Sequence, residues 1–122
     1  EVITEKVVEF EDNPLINNVV LFKINQTKVD PYQGVNIYNI ARYLKDNPQF
    51  KVRVIGYTDR KTGTSQINEK LSAERAQNVA RILISDYNIS RDRIKVEWVG
   101  DKEPPFDKPE WNRAVILYVE QE

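Results

Sequence analysis

The 122-residue sequence contains no cysteine, no histidine and no methionine. Without cysteine the chain forms no disulfide, thiolate metal site, iron–sulfur cluster or cysteine nucleophile. Without histidine it has no Ser-His-Asp triad, no histidine-ligated zinc site and no imidazole acid–base group. Because no start methionine is included, we expect a mature product or an excised fragment.

The sequence also has almost no net charge and no long apolar run. Its 18 Lys and Arg residues oppose 19 Asp and Glu residues, and the resulting charge of −1 argues against electrostatically driven nucleic-acid binding. The longest apolar runs, 19–22 and 114–119, have the length of strands, so no membrane-spanning helix is predicted. Any membrane anchor is therefore expected outside these residues. The chain length suits one domain with a single core.

Hydrophobic patterns along the chain predict six regular elements. Residues 19–22 form an uninterrupted apolar run, typical of a strand buried on both faces. A helix is predicted between Asp30-Pro31, an N-cap followed by a first-turn proline, and Asn47-Pro48, where Asn47 is expected in the left-handed conformation. The remaining predicted elements are a strand over 51–57, a helix over 65–87, and strands over 94–99 and 114–119.

The predicted order of elements is β-α-β-α-β-β, which indicates an α/β (α+β) two-layer sandwich with a mixed sheet. Residues 114–119 are apolar throughout, so we expect the last strand to be central in that sheet. Residues 1–17 carry the weakest pattern and are interpreted as an N-terminal extension, the end of a linker or an edge strand. Residues 18–122 are predicted to form the folded domain.

One face of the second predicted helix mixes apolar and polar side chains. At about 100° per residue, Asn68, Ser72 and Arg75 fall within the arc of its apolar residues. An unpaired buried charge is very costly, so Arg75 is expected to need a carboxylate, from the protein or from a ligand. Asp59 is the nearest candidate in sequence, in the loop before the helix and near its free N–H groups.

The residues alone leave two interpretations of these opposite charges open. In one, Arg75 and Asp59 form an internal ion pair that holds the loop. In the other, they face each other across a gap and bind a zwitterionic ligand, such as the head group of a free amino acid.

The same region resembles a known signature. Residues 56–59 (GYTD), Gly63 and residues 68–76 (NEKLSAERA) are similar to the pattern G-H/Y-T-D…G…N-x-x-L-S-x-x-R-A of OmpA-like domains. These domains are the peptidoglycan-binding modules of OmpA, the Pal lipoprotein and the MotB stator protein. Residues 20–25 resemble the V-x-F-x-x-N strand of the family, and Asn112-Arg113 its N-R pair. The resemblance covers about residues 18–120 and favours the version found in Bacteroidetes outer-membrane proteins.

The resemblance implies the OmpA-like fold and a specific ligand. That ligand is the diaminopimelate of the peptidoglycan stem peptide, which exposes an ammonium and a carboxylate. By the resemblance, Asp59 accepts from the ammonium and Arg75 binds the carboxylate. Thr58 and Asn68 match positions that line the pocket. The positions matched at the pocket rim are Asn25 and Arg113.

The resemblance further implies a non-catalytic module that tethers an outer-membrane protein to the cell wall from the periplasm. Such a module binds peptidoglycan and needs no metal and no cofactor. No nucleic acid and no membrane contact are expected for the domain itself, and the membrane anchor is expected elsewhere in the full-length protein. Tyr57 replaces the commoner histidine of the signature, so no pH switch is expected there.

Two other functions are weighed against wall binding. A wall hydrolase needs two facing carboxylates, such as Asp59 with Glu69 or Glu74, but the helical wheel directs both glutamates away from the polar arc. A protein–protein interaction domain of an envelope complex would instead present exposed aromatic residues. The candidates are Trp98, Phe106 and Trp111. These three residues could also be structural, with Trp98 in the core and the other two holding the proline-rich loop.

Overall fold

The computed structural model describes residues 16–121, which form a four-stranded sheet and two helices. The strands are β1 (Ile16–Leu21), β2 (Phe50–Tyr57), β3 (Ile94–Gly100) and β4 (Ala114–Gln121), and the helices are α1 (Gly34–Asp46) and α2 (Ser65–Ser85). The predicted order β-α-β-α-β-β is therefore confirmed. Residues 1–15 of the predicted N-terminal extension lie outside the described residues, whereas Ile16 and Asn17 belong to β1.

The sheet has the strand order β1-β4-β2-β3, with β4 antiparallel to both of its neighbours and β2 parallel to β3. The predicted central position of the last strand is confirmed. The expectation that residues 19–22 form a strand buried on both faces is wrong, because Val19 and Leu21, on the face opposite to the helices, are only partly buried. Within β1 only Val20 is fully buried, since its neighbours on the other face are not covered by a helix.

The ends of the helices follow from local sequence signals. Asp30 accepts from the backbone N–H of Tyr32 at 2.9 Å, so the predicted cap is confirmed, although a 3₁₀ turn precedes α1. Asn47 has a negative φ of −134° with ψ 79° rather than a left-handed conformation, and its side chain closes the helix by donating to the carbonyl oxygen of Tyr43. After α2, Asn88 adopts a positive φ of 56°.

Both helices pack on the same face of the sheet and form the main core with it. Alternate residues of the two inner strands point toward the helices, among them Val52, Val54 and Leu117. Helix α2 approaches β2 closely at Gly56, where an added Cβ would lie 2.0 Å from the carbonyl oxygen of Ser72. This contact places the polar arc of α2 directly above the end of β2.

Candidate functional site

The residues singled out in the sequence gather at the carboxyl end of β2. Thr58 and Asp59 follow that strand directly, while Asn68 and Arg75 project from α2 toward it. Arg113 lies immediately before β4 and reaches the same place. The fold therefore brings together segments that are up to 54 residues apart in the chain.

Asp59 is a buried carboxylate whose position is set by its own loop. The side chain is 1% exposed, and Oδ1 accepts from the backbone N–H groups of Lys61 and Thr62, both at 2.9 Å. The hydroxyl of Thr62 lies 2.9 Å from each carboxylate oxygen. These bonds orient the carboxylate, and they direct Oδ2 toward Arg113.

Asn68 fixes the loop that carries Asp59. Its side-chain amide, which is buried, donates to the carbonyl oxygens of Asp59 at 3.2 Å and Thr62 at 2.8 Å. It also donates to a carboxylate oxygen of Asp101 at 3.2 Å. Gly63 turns the loop with φ 71°, and a Cβ there would meet the side-chain oxygen of Asn68 at 2.7 Å. The observed role of Asn68 is thus to support the Asp59 loop.

Arg75 is almost completely buried, but its partners are backbone carbonyls and an aromatic ring. Its side chain is 1% exposed, and its Nε donates to the carbonyl oxygen of Gln26 at 2.8 Å. Nη2 donates to that of Lys23 at 3.1 Å and Nη1 to that of Tyr57 at 3.4 Å. The guanidinium carbon lies 5.2 Å from the centre of the Phe22 ring. Carbonyl dipoles and the ring therefore stabilise the buried charge.

Of the two interpretations that the sequence left open, the internal ion pair between Arg75 and Asp59 is not among the ion pairs of residues 16–121. The turn over residues 23–26 supplies carbonyl oxygens in place of a carboxylate. Burial and the nearby charge of Arg113 lower the pKa of Arg75 to about 10, and the charge of Asp59 acts in the opposite direction. Arg75 still carries its charge at neutral pH.

Arg113 is the charged partner of Asp59. Its Nη1 lies 3.5 Å from Asp59 Oδ2, and its Nε donates to the carbonyl oxygen of Phe22 at 3.1 Å. The side chain is 18% exposed, so it connects the buried carboxylate with the surface. Asp59 therefore lies close to two cations, Arg75 and Arg113.

The hydroxyl of Thr58 lies buried beside this charged group. The residue is 2% exposed, and its backbone N–H donates to the carbonyl oxygen of Gly100 at 2.8 Å. Its Oγ1 has no hydrogen-bond partner within the described part of the chain. Because buried hydroxyls nearly always have a partner, this atom is a candidate hydrogen-bonding group of the site.

Asn25 is exposed and lies in the turn that Arg75 binds. It adopts a positive φ of 58°, which asparagine tolerates better than most residues, and Gln26 donates to the carbonyl oxygen of Lys23 across this turn. Asn25 thereby shapes the carbonyls that hold Arg75.

A surface cleft of about 1080 Å³ begins at Arg113. One wall comes from residues 21–33 and the other from residues 110–113. Tyr32 and Ile24 also line this cleft, and the sequence patterns did not single them out. The signal that could have found them is the presence of two large apolar side chains in an otherwise polar segment. Trp111 also lines the cleft and is 44% exposed.

The three aromatic residues considered from the sequence differ in exposure and packing. Trp98 is 42% exposed, so its expected place in the core is wrong; it lies on β3 at one end of the sheet. Phe106 and Trp111 pack edge to face with ring centres 6.0 Å apart, as expected for residues that hold the proline-rich loop. Glu69 is exposed, as the helical wheel predicted.

Residues 16–121 contain no group of three Asp, Glu, His or Cys side chains arranged to hold a metal ion. Neither α1 nor α2 combines the length and the apolar character that crossing a bilayer requires.

Residues 21–116 match the OmpA family. Outer membrane protein 40 of Porphyromonas gingivalis is 45% identical over 103 residues, which are 84% of this chain and 27% of the relative. Outer membrane protein 41 of the same organism is 41% identical over 106 residues, or 87% of this chain and 27% of the relative. The chain thus spans 27% of the length of these two relatives, which agree with the expected Bacteroidetes-type version.

Solved structures show the same fold. The peptidoglycan-associated lipoprotein from Burkholderia pseudomallei is 28% identical, with a TM-score of 0.75, and the alignment covers 84% of this chain and 90% of that one. The OmpA-like domain of FopA1 from Francisella tularensis aligns with a TM-score of 0.80 at 18% identity, covering 93% and 78% of the two chains. The predicted mixed α/β sandwich is therefore confirmed.

Proposed function

This chain belongs to the OmpA family, and on that premise we propose that it binds peptidoglycan without catalysis. The proposed ligand is the diaminopimelate of the stem peptide. By holding it, the domain tethers an outer-membrane protein to the cell wall from the periplasm. The envelope proteins among its relatives, and the lipoprotein described as peptidoglycan-associated, support this proposal.

The observation that carries the proposal is the environment of the Asp59 carboxylate. Its loop holds the carboxylate rigidly, and its contact with Arg113 measures 3.5 Å. Charge-assisted N–H···O bonds are shorter, at about 2.7–2.9 Å. A ligand ammonium can therefore replace Arg113 at Oδ2 and form a shorter bond there. The unpartnered Thr58 hydroxyl lies next in sequence to this carboxylate and supplies a further hydrogen bond to the ligand.

The ligand carboxylate is assigned to the two guanidinium groups. Three of the five N–H groups of Arg75 bind carbonyl oxygens, and one N–H on each terminal nitrogen remains for a bidentate contact. Because Arg75 is 1% exposed, the ligand reaches it when the turn over residues 23–26 or the Arg113 side chain shifts. Arg113, once released from Asp59, can pair with the same carboxylate.

The proposal is tested by Asp59→Asn, with Asp46→Asn as a matched control. Asparagine keeps an oxygen that accepts from the N–H groups of Lys61 and Thr62, but it carries no charge for the ammonium. Asp46 is exposed at the end of α1, and its substitution changes the net charge equally. A charge-assisted hydrogen bond contributes roughly 1.5–3 kcal/mol, so Asp59→Asn should weaken binding about tenfold or more.

The measurements are co-sedimentation with purified sacculi and calorimetric titration with meso-diaminopimelate. We expect Asp46→Asn to pellet and titrate like the parent. If folded Asp59→Asn behaves in the same way, Asp59 is not the ammonium acceptor and the proposal fails. Release of soluble muropeptides from the sacculi by the parent protein would instead establish the hydrolase that was considered from the sequence.

A further inference from the structure

The two end strands of the sheet differ in whether their outer backbone groups have hydrogen-bond partners. On β1, the N–H of Leu21 donates to Gln33 Oε1 at 3.0 Å, and the carbonyl oxygen of Val19 accepts from Asn36 Nδ2 at 2.7 Å. Side chains at the start of α1 thus bind this edge. Strand β3 pairs with β2 on one side only, and residues 95–98 make no further backbone hydrogen bond within the 16–121 range. Such an open edge is a template for pairing with another chain.

The sequence of β3 is complementary to itself in antiparallel pairing. A two-fold axis through Val96 places Ile94 opposite Trp98 of a second copy. The same axis places Lys95 opposite Glu97, and by symmetry each of these pairs occurs twice. Aromatic–β-branched pairs and opposite-charge pairs are the kinds that stabilise neighbouring strands. Pairing with a second copy of this chain therefore leaves no mismatched position over residues 94–98.

The helix-facing side of β3 has apolar surface for such a partner to cover. Ile94 and Val96 pack against the main core on this side. Trp98 lies on the same face by alternation along the strand but is 42% exposed. In the paired edge, Ile94 of the second copy lies beside the Trp98 ring. Pairing therefore removes part of a large aromatic surface from water.

The opposite side of β3 carries charges, which alternate in sign across the sheet. Glu120 on β4 and Glu97 on β3 both bind Arg53 on β2, at 3.2 and 2.9 Å. Lys95 Nζ lies 3.7 Å from Glu97 Oε1, farther than the ~2.7–2.9 Å of a charge-assisted bond, and its side chain is 73% exposed. A lysine on an edge strand usually opposes strand pairing, but Lys95 here faces Glu97 of the second copy. The added strand thereby continues the alternation of charges.

We propose that two copies of this chain associate through β3, in antiparallel register about Val96, and form one continuous sheet. The proposal does not depend on the proposed ligand, because residues 94–98 take no part in the candidate site. Since the paired strands are antiparallel, the two Asp59 carboxylates lie at opposite ends of the joined sheet. The dimer thus presents two separate ligand sites.

The first test is charge reversal at the proposed edge, with association of the whole chain measured by sedimentation equilibrium. Lys95→Glu gives an acidic edge and Glu97→Lys a basic one, so each variant alone places like charges opposite each other twice. We expect each to dimerise at least about tenfold more weakly than the parent, and an equimolar mixture of the two to recover the association. Lys45→Glu, an equal charge change at an exposed position of α1, should associate like the parent.

The second test changes no charge and so keeps the pair between Arg53 and Glu97. Because the chain has no cysteine, Val96→Cys introduces a single thiol at the two-fold axis. Opposed Cα atoms in antiparallel strands lie about 4.5–5.5 Å apart, within the range that a disulfide spans. Under mild oxidation this variant should form a covalent dimer, whereas Asn39→Cys, exposed on α1, should not.

Three results would contradict the β3 interface. A parent that sediments as a monomer at every concentration overturns the proposal, and so does cross-linking of Val96→Cys no faster than that of Asn39→Cys. If the parent dimerises and Lys95→Glu dimerises equally well, the two copies meet at another surface.

Discussion

Gly56→Ala is predicted to separate α2 from the sheet. A Cβ at this position would lie 2.0 Å from the carbonyl oxygen and 2.8 Å from the carbonyl carbon of Ser72. Both are backbone atoms, so no side-chain rotation relieves the overlap. Even a weak C–H···O contact needs about 3.3 Å between carbon and oxygen, so the helix must withdraw by more than about 1 Å.

The expected loss of stability follows from what that withdrawal disrupts. Ala76 and Val79 are fully buried against the sheet, and the Ser72 hydroxyl accepts from the backbone N–H of Gly100 at 3.0 Å. Overpacking costs about 1–3 kcal/mol, and an unsatisfied buried N–H a similar amount. We therefore expect Gly56→Ala to lower the free energy of unfolding by roughly 2–6 kcal/mol.

The assay is urea denaturation followed by circular dichroism, with Gly34→Ala as the matched substitution. Gly34 has helical backbone angles (φ −60°, ψ −27°), and a Cβ there meets no atom within 4 Å. Alanine at such a site should stabilise the protein by about 0.4–1 kcal/mol, because it restricts the unfolded chain. The same chemical change should thus have opposite effects at the two positions.

The reasoning is refuted if Gly56→Ala unfolds at the same urea concentration as the parent with an unchanged slope. That result would mean that α2 does not approach β2 as closely as the structure shows. Since Ser72 and Arg75 are carried by the same helix turn, a withdrawn helix should also weaken ligand binding.

Two further predictions concern a hydroxyl and an ion pair. Thr58→Val keeps the shape of the side chain and removes an unpartnered buried hydroxyl. The free energy of unfolding measured in urea should therefore stay unchanged or rise by at most about 3 kcal/mol, while diaminopimelate binding should weaken. A clear loss of stability would show that the hydroxyl already has a partner. For Glu97, two hydrogen bonds of 2.9 Å from Arg53 lower the pKa of the carboxyl below its ordinary 4.5. A lowered pKa contributes stability above pH 4.5 that is lost as the pH falls through the folded-state value, so Glu97→Gln should flatten the decline of Tm on acidification below about pH 5. Parallel Tm curves for the two proteins would contradict this.

Some parts of the fold could be predicted because their causes are local. The alternation of apolar residues specified the strands, and Asp30-Pro31 specified where the first helical turn begins. The uniformly apolar last strand predicted its central position, since such a strand is covered on both faces. The burial of β1 was misjudged because an apolar run does not show whether both faces of a strand are covered.

The partners of the charged residues could not be predicted in the same way. The helical wheel correctly predicted that Arg75 is buried, but two of its three acceptors, the carbonyl oxygens of Gln26 and Lys23, lie 49 and 52 positions away along the chain. Asp59 and Arg113 are 54 positions apart. The exposure of Trp98 likewise depends on the place of β3 in the sheet, which alternation along the strand does not reveal.

The sequence by itself determined the order of elements, the family signature and the set of polar residues near the end of β2. It could do so because periodicity and motif spacing act between residues close in the chain. Only the tertiary structure decided that Arg75 binds the turn over residues 23–26, that Arg113 contacts Asp59, and that a cleft begins beside them. Those pairings depend on distances between segments that come together only when the sheet and helices have packed.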